Sequence, residues 1–205
     1  MNTEPHSWVT KRPVTSPFAI PRGIRGRLAG LVMRWTNRQA DLLNLLPIGQ
    51  GQRVLEVGYG PGALIRLLVE GTPAALVQGV DPSPTMQAQA EAANRAGVRT
   101  GRVDLRLGSA ERTGLPDASV DHVVSVNTVA IWPDLDAGLR ELHRVLRVGG
   151  TLILAWHGGT RPNVIARSLR LTEEKLNRIE SGIRAVFGDC ERHRLDRLDV
   201  FTATR

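Results

Sequence analysis

Apolar residues recur along the chain with two alternating periods. From Ile24 to Leu46 the residues Leu28, Leu31, Val32, Trp35, Leu42, Leu43 and Leu46 fall at roughly helical spacing, which predicts one or two helices packed on a sheet edge or over a pocket. Pro47 to Gln52 reads as a turn into a strand over Arg53 to Val57. A helix over Ala63 to Glu70, a strand over Ala75 to Val80 and a helix over Pro84 to Ala96 follow, with Gly97 as the expected C-terminal stop. Val103 to Leu107 alternates like a strand with one wetter face, and His122 to Val126 has the continuous apolar character of a buried strand. Leu135, Leu139, Leu142 and Leu146 then form a helical stripe ahead of a central strand at Thr151 to Trp156. Strands alternating with helices predict an α/β fold with a doubly wound, mostly parallel sheet, and ligands at the carboxyl ends of its strands. After a loop at Gly158 to Pro162 come a helix from Thr172 to Phe187 and two short strands, Glu191 to Leu195 and Asp199 to Thr204, candidates for a terminal antiparallel hairpin.

The first strand ends in the run Val54-Leu-Glu-Val-Gly-Tyr-Gly-Pro-Gly62. Gly58, Gly60 and Gly62 permit a tight turn and a close approach of backbone to ligand. The first amides of the following helix point back over the strand end, where they can meet a polar group. The second strand closes on Asp81, a carboxylate placed to accept hydrogen bonds from ribose hydroxyls; its structural alternative is a helix N-cap. Gly58, Gly60 and Ala63 also satisfy a dinucleotide fingerprint. Against that reading, Glu56 would repel a pyrophosphate yet hold an ammonium, and Pro61 removes an amide from the turn. No Gly-Lys-Ser or Gly-Lys-Thr follows, so this is not a P-loop.

These residues resemble the class I S-adenosylmethionine-dependent methyltransferase family, in particular its small-molecule group related to ubiquinone and menaquinone methyltransferases. The glycine run is similar to the family's E/D-x-G-x-G-x-G motif, and Val80-Asp81-Pro82-Ser83-Pro84-Thr85-Met86 to its second motif. Gly108-Ser-Ala-Glu111, Leu115-Pro-Asp-Ala-Ser-Val-Asp121, Trp132-Pro-Asp134 and Leu142-His-Arg-Val-Leu-Arg-Val-Gly-Gly150 extend the likeness over about residues 40 to 160. The resemblance implies a Rossmann-like fold with a terminal antiparallel hairpin and S-adenosylmethionine as cofactor. It also implies a cofactor site of Glu56 on the methionyl ammonium, Gly58, Tyr59, Gly60 and Gly62 in the turn, and Asp81 on the ribose. Pro82 and Met86 would lie near the adenine, Ala110 and Glu111 at its polar edge, and Asn127 close to the sulfonium. Three positions depart from the pattern: Ser109 stands for an adenine-binding aspartate, Ile131 for a histidine and Val148 for a proline. His157, just past the last central strand, is the candidate general base, since that strand end opens on the cleft. Trp132 is a candidate for the sulfonium pocket or for core packing. Trp8 and Trp35 are candidates for a lid or, for Trp35 above all, for packing.

With 41% hydrophobic and 23% charged residues the composition is that of a globular protein. The expected organisation is a flexible segment at residues 1–23, which carries Pro5, Pro13, Pro17 and Pro21, then a single domain at 24–205 with a helical lid at 24–46. No apolar run reaches membrane-spanning length and no signal core appears at the N-terminus, so the expected location is the cytoplasm. Cys190 is the only cysteine, which rules out an intrachain disulfide and a thiolate metal cluster; no metal is expected. The net charge of +7 is almost wholly arginine, Lys11 and Lys175 being the only lysines. The arginines are dispersed without interleaved aromatic platforms, so a small-molecule acceptor is expected rather than nucleic acid. An RNA methyltransferase and a non-catalytic cofactor binder of the same fold remain the alternatives, and a homodimer stays open.

Overall fold

The structure, a computed structural model, describes residues 6–9 and 40–205. One seven-stranded sheet runs through the described residues in the order β3-β2-β1-β4-β5-β7-β6. The strands are β1 (Arg53–Val57), β2 (Leu76–Asp81), β3 (Val103–Leu107), β4 (Val120–Val126), β5 (Leu146–His157), β6 (Glu191–Arg194) and β7 (Leu198–Thr204). β1 pairs in parallel with β2 and with β4, β2 with β3, and β4 with β5. β7 is antiparallel to both β5 and β6, so the terminal hairpin forms as expected and closes the sheet. From β1 the chain winds outward one way through β2 and β3 and then returns to β4 on the other side, which opens a crevice at the carboxyl ends of β1 and β4.

The helices are α1 (Ala40–Leu43), α2 (Ala63–Gly71), α3 (Pro84–Ala93), α4 (Arg95–Arg99), α5 (Leu135–Val145), α6 (Val164–Ser168) and α7 (Glu173–Phe187). Leu42, Leu64, Ile65, Leu68, Met86 and Ala90 form one apolar layer with Val54, Val77, Val124 and Ile153 of the strands. Leu135, Leu139, Leu142, Leu176, Ile179 and Ile183 form the other with Leu55, Val123, Leu154 and Phe201. Three helix starts have a local cause. Ser83 Oγ accepts the Met86 N–H at 3.3 Å ahead of Pro84, Asp134 Oδ1 accepts Ala137 N–H at 3.0 Å, and Thr172 Oγ1 accepts Lys175 N–H at 3.4 Å.

Two boundaries differ most from expectation, beside smaller shifts such as the start of β4 at Val120 rather than His122. The helix from Pro84 breaks at Asn94, whose side-chain amide turns inward to the carbonyls of Ala90 at 2.9 Å and Gly62 at 3.0 Å. Gly97 therefore sits inside α4 and not at a stop; a Cβ there would lie 2.6 Å from Val103 Cγ2, so it is a close-packing glycine. β5 starts five residues early, at Leu146, because Leu146 pairs with Val120 before the register shifts to His122 opposite Thr151. The expected helical lid lies outside the described residues at 24–39; beyond it, Leu42 and Leu46 are buried in the apolar layer that α2 also builds. Of residues 1–23 the structure describes 6–9, where Trp8 and Val9 pack against the core. Trp35 lies outside the described residues.

Candidate functional site

The carboxyl ends of β1, β2, β3 and β4 surround a cavity of about 240 Å³. Val57 and Gly58 supply its floor, Val80, Asp81 and Pro82 one wall, Ser109, Ala110 and Glu111 another, and Thr128, Ile131, Trp132 and Pro133 the far side. Five of the expected cofactor residues, Gly58, Asp81, Pro82, Ala110 and Glu111, are therefore brought together on one lining. The other six, Glu56, Tyr59, Gly60, Gly62, Met86 and Asn127, are not on it, nor is His157.

Asp81 is 6% exposed. Its Oδ1 accepts the Ser83 N–H and its Oδ2 the Gly60 N–H, both at 2.9 Å, so the carboxylate ties the start of α3 to the glycine turn. The helix N-cap is Ser83, which leaves Asp81 available to the cavity. Burial pushes the Asp81 carboxyl up to about 6, against the two backbone hydrogen bonds that pull it down. Glu56, on the next strand, is 3% exposed and its Oε2 has no partner. Burial first, and the nearby Asp81 charge second, hold its pKa well above the ordinary carboxylate range, while the Ile65 N–H bond works the other way. A buried carboxylate oxygen without a donor costs folding free energy, and a cationic group is the partner that would relieve it.

The three glycines divide their labour. At Gly58, φ is +76° and a Cβ would lie 2.3 Å from Thr128 Cγ2, so a bare backbone lets the turn approach the loop after β4. Gly60, at φ +51°, faces space with nothing within 4 Å of where a Cβ would stand, an open cradle beside Asp81. Gly62 packs against α3, a Cβ there meeting Asn94 Nδ2 at 2.6 Å and Ala90 Cβ at 2.8 Å. Tyr59 turns away from the cavity into the apolar layer over Gly79, and its hydroxyl donates to Arg106 O at 3.3 Å. Met86 is buried in the same layer.

Asn127 follows β4 with φ 59° and donates its N–H to Ala155 O at 2.8 Å. A non-glycine residue in the left-handed region at a strand end is held there by its surroundings, and asparagine tolerates it best. Thr128 Oγ1 accepts from Trp132 Nε1 at 3.1 Å and bonds Ser125 Oγ. Trp132 lies over Gly138 of α5, where a Cβ would come within 2.8 Å of the ring. It is 5% exposed and serves both as core and as cavity wall. Thr128, Ile131 and Pro133 were not among the expected site residues; the Trp132-Pro133-Asp134 motif was the signal that marked their loop. Glu111 Oε1 accepts the Asp134 N–H at 3.3 Å, which joins the two loops that face each other across the cavity.

His157 ends β5 opposite Leu198 and stands edge-on to Trp156 at 5.6 Å. Burial lowers its pKa to about 4, so it is neutral at pH 7. Among the described residues no group of three or more His, Cys, Asp or Glu is placed to hold a metal ion, and no helix is long and apolar enough to cross a membrane.

Comparison with known proteins meets the same residues. A family described as a methyltransferase domain matches residues 55–154, from the middle of β1 to β5, which takes in the whole cavity. Uncharacterized methyltransferase YdaC of Bacillus subtilis is 33% identical over 126 residues, 60% of this chain and 67% of that protein. Ubiquinone/menaquinone biosynthesis C-methyltransferase UbiE of Rubrivivax gelatinosus is 35% identical over 103 residues, 50% of this chain but 38% of its own length. Phosphoethanolamine N-methyltransferase 2 of Haemonchus contortus, solved in complex with S-adenosyl-L-methionine, shares the fold with a TM-score of 0.73 at 18% identity, over 94% of this chain and 61% of that one. The open cradle at Gly60, the unpartnered Glu56 oxygen and Asp81 on the cavity wall fit an adenosine group that carries an amino acid. The chain belongs to the S-adenosylmethionine-dependent methyltransferases, an enzyme family whose cofactor is S-adenosylmethionine.

Proposed function

We propose that the protein transfers the methyl group of S-adenosylmethionine to a small-molecule acceptor. The observation that carries this reading is the pairing of two buried carboxylates, Asp81 on the cavity wall and Glu56 with a free oxygen, around a glycine turn that leaves the space beside it open. In this reading Asp81 accepts hydrogen bonds from ribose hydroxyls and Glu56 holds the amino-acid ammonium. Gly58, Gly60 and Gly62 shape the turn, and the backbone of Tyr59 is part of it. Pro82, Ala110, Glu111 and Trp132 enclose the adenine side, Met86 lies in the apolar layer behind it, and Asn127 stands beside the reacting end. When bound, S-adenosylmethionine supplies a methyl group already activated by its sulfonium. The chain's task is then to position an acceptor and exclude water, and positioning of that kind is worth ~7 kcal/mol or more.

His157 enters as an acceptor-side hydrogen-bonding group in its neutral form. With a conjugate acid at about 4 it takes up a proton with little driving force, so an acceptor that deprotonates in water suits the site best. The small-molecule reading draws support from UbiE and from the phosphoethanolamine enzyme, whose names give small acceptors. A cytoplasmic location belongs to the same proposal and rests on the composition and the single thiol. Methyl transfer from labelled S-adenosylmethionine over a panel of quinols, phenols, amines and carboxylic acids tests it. Transfer to one class supports the reading; tight S-adenosylhomocysteine binding with no transfer to any acceptor would favour a non-catalytic binder. His157→Ala should lower kcat on that acceptor while S-adenosylhomocysteine affinity stays within about twofold, a difference below 0.5 kcal/mol. A parallel loss of affinity would move His157 into the cofactor site.

A further inference from the structure

The wall formed by Thr128, Ile131, Trp132 and Pro133 does not hold itself up. Val129–Ile131 is a single 3-10 turn, and such a turn leaves its last carbonyls without partners inside the turn. Val129 and Ala130 are 1% and 4% exposed, so their carbonyls need donors from within the protein. Those donors come from more than a hundred residues away. Ser7 Oγ donates to Ala130 O at 2.7 Å, Trp8 Nε1 to Val129 O at 2.7 Å, and Trp8 N–H to Trp132 O at 3.0 Å. Val9 N–H in turn donates to Ser7 Oγ at 3.1 Å, which orients the hydroxyl. Ser7 is 5% exposed, and Trp8 packs against the same apolar layer as Trp132.

We propose that Ser7 and Trp8 are positioning residues for the cofactor cavity, a latch that fixes the turn after β4 and so ties cofactor affinity to docking of the N-terminal segment. The inference rests on the cofactor reading above. Because the latch and the cofactor act on one loop, the effect runs both ways: docking of the latch raises cofactor affinity by the same factor by which bound cofactor favours docking.

The test uses the full chain with S-adenosylhomocysteine as probe. Trp8→Phe keeps an aromatic ring, though a smaller one, and removes the indole donor, and Ser7→Ala removes the hydroxyl, while Ser7→Thr retains it. Calorimetry should give affinities lower by roughly tenfold for Trp8→Phe and for Ser7→Ala, the size of one lost hydrogen bond to a buried carbonyl, with affinity rescued in Ser7→Thr. In the wild-type chain, solvent exchange of the Trp8 indole N–H, followed by NMR on 15N-tryptophan-labelled protein, should slow on adding the probe. That second reading needs no variant and would not move if Trp8 were only a packing residue. Affinities within twofold of wild type in both Trp8→Phe and Ser7→Ala, or indole exchange that ignores the probe, overturn the latch. A wild-type chain that fails to bind the probe overturns the cofactor reading instead, and the latch with it.

Discussion

At the scale of single residues, the proposed site turns on the carboxylates of Asp81 and Glu56. Asp81→Ala removes the acceptor of the Gly60 and Ser83 amides and should weaken S-adenosylhomocysteine binding by about 1 to 3 kcal/mol, measured by calorimetry; unchanged affinity would remove Asp81 from the site. The pH dependence has two opposite arms. The ligand-free Asp81 pKa is raised from 3.8 to about 6, so the folded chain binds the proton more tightly than the unfolded one. The resulting stability is complete below about pH 4 and lost as pH rises through about 6, a difference of about 3 kcal/mol. Glu56 shifts in the same direction. A cofactor that needs the Asp81 carboxylate charged binds in the opposite sense, its affinity rising as pH passes through about 6. Denaturant unfolding of wild type against Asp81→Asn at pH 5 and pH 7 isolates the first arm and calorimetry the second; affinity that is flat with pH would contradict the pairing. Gly60 gives a steric test. Gly60→Ala should abolish detectable binding because the added carbon enters the open cradle. Gly149→Ala, at φ +79° and equally uncrowded, suffers the same strain of roughly 1 to 2 kcal/mol but should bind normally. Equal binding by both variants would show that no ligand occupies the space at Gly60.

At the scale of elements, the glycine turn is also a joint between helices. Gly62 caps α2 at φ +78° and lets α3 approach within the reach of Ala90 and Asn94. Gly62→Ala should therefore destabilise the fold by roughly 2 to 4 kcal/mol, combining left-handed strain with overpacking. Equilibrium denaturation measures this, and a loss under 1 kcal/mol would mean that the helices part easily. This packing role was hidden in the sequence, where three glycines at alternate positions look alike; only the partner opposite each one separates turn, cradle and helix joint. Asn94 was equally opaque, since nothing local shows that its amide faces the Gly62 carbonyl. The motif Leu115-Pro116-Asp117, by contrast, gains a physical cause. Glu141 Oε1 accepts both the N–H and the hydroxyl of Thr113, at 2.9 and 2.6 Å, and Arg144 reaches Leu115 O at 2.8 Å and the Asp117 carboxylate. The loop leading into β4 is thus clasped to α5; burial would raise the Glu141 pKa, but the Arg144 guanidinium at 2.8 Å and the two Thr113 bonds outweigh it and depress the value to about 2.

At the scale of the whole molecule, the alternation of strand and helix periods was enough to read the sheet and the side on which a ligand would sit. Val77, Val123, Val124, Leu152 and Leu154 are fully buried, and central strands covered on both faces carry that signal in their own residues. Less legible was the far wall of the cavity, because Thr128, Ile131 and Pro133 belong to a turn whose shape depends on donors from Ser7 and Trp8. Contacts spanning more than a hundred residues leave no local pattern. The switch point between β1 and β4 is where the topology, the carboxylates and the methyltransferase match converge. A crystal of the protein soaked with S-adenosylhomocysteine tests that convergence most directly. The prediction is density for the adenosine against Asp81, Pro82 and Ala110, with the amino group at Glu56 and the chain close to Gly60. A crevice that stays empty at saturating ligand, or a ligand bound elsewhere on the protein, would contradict it.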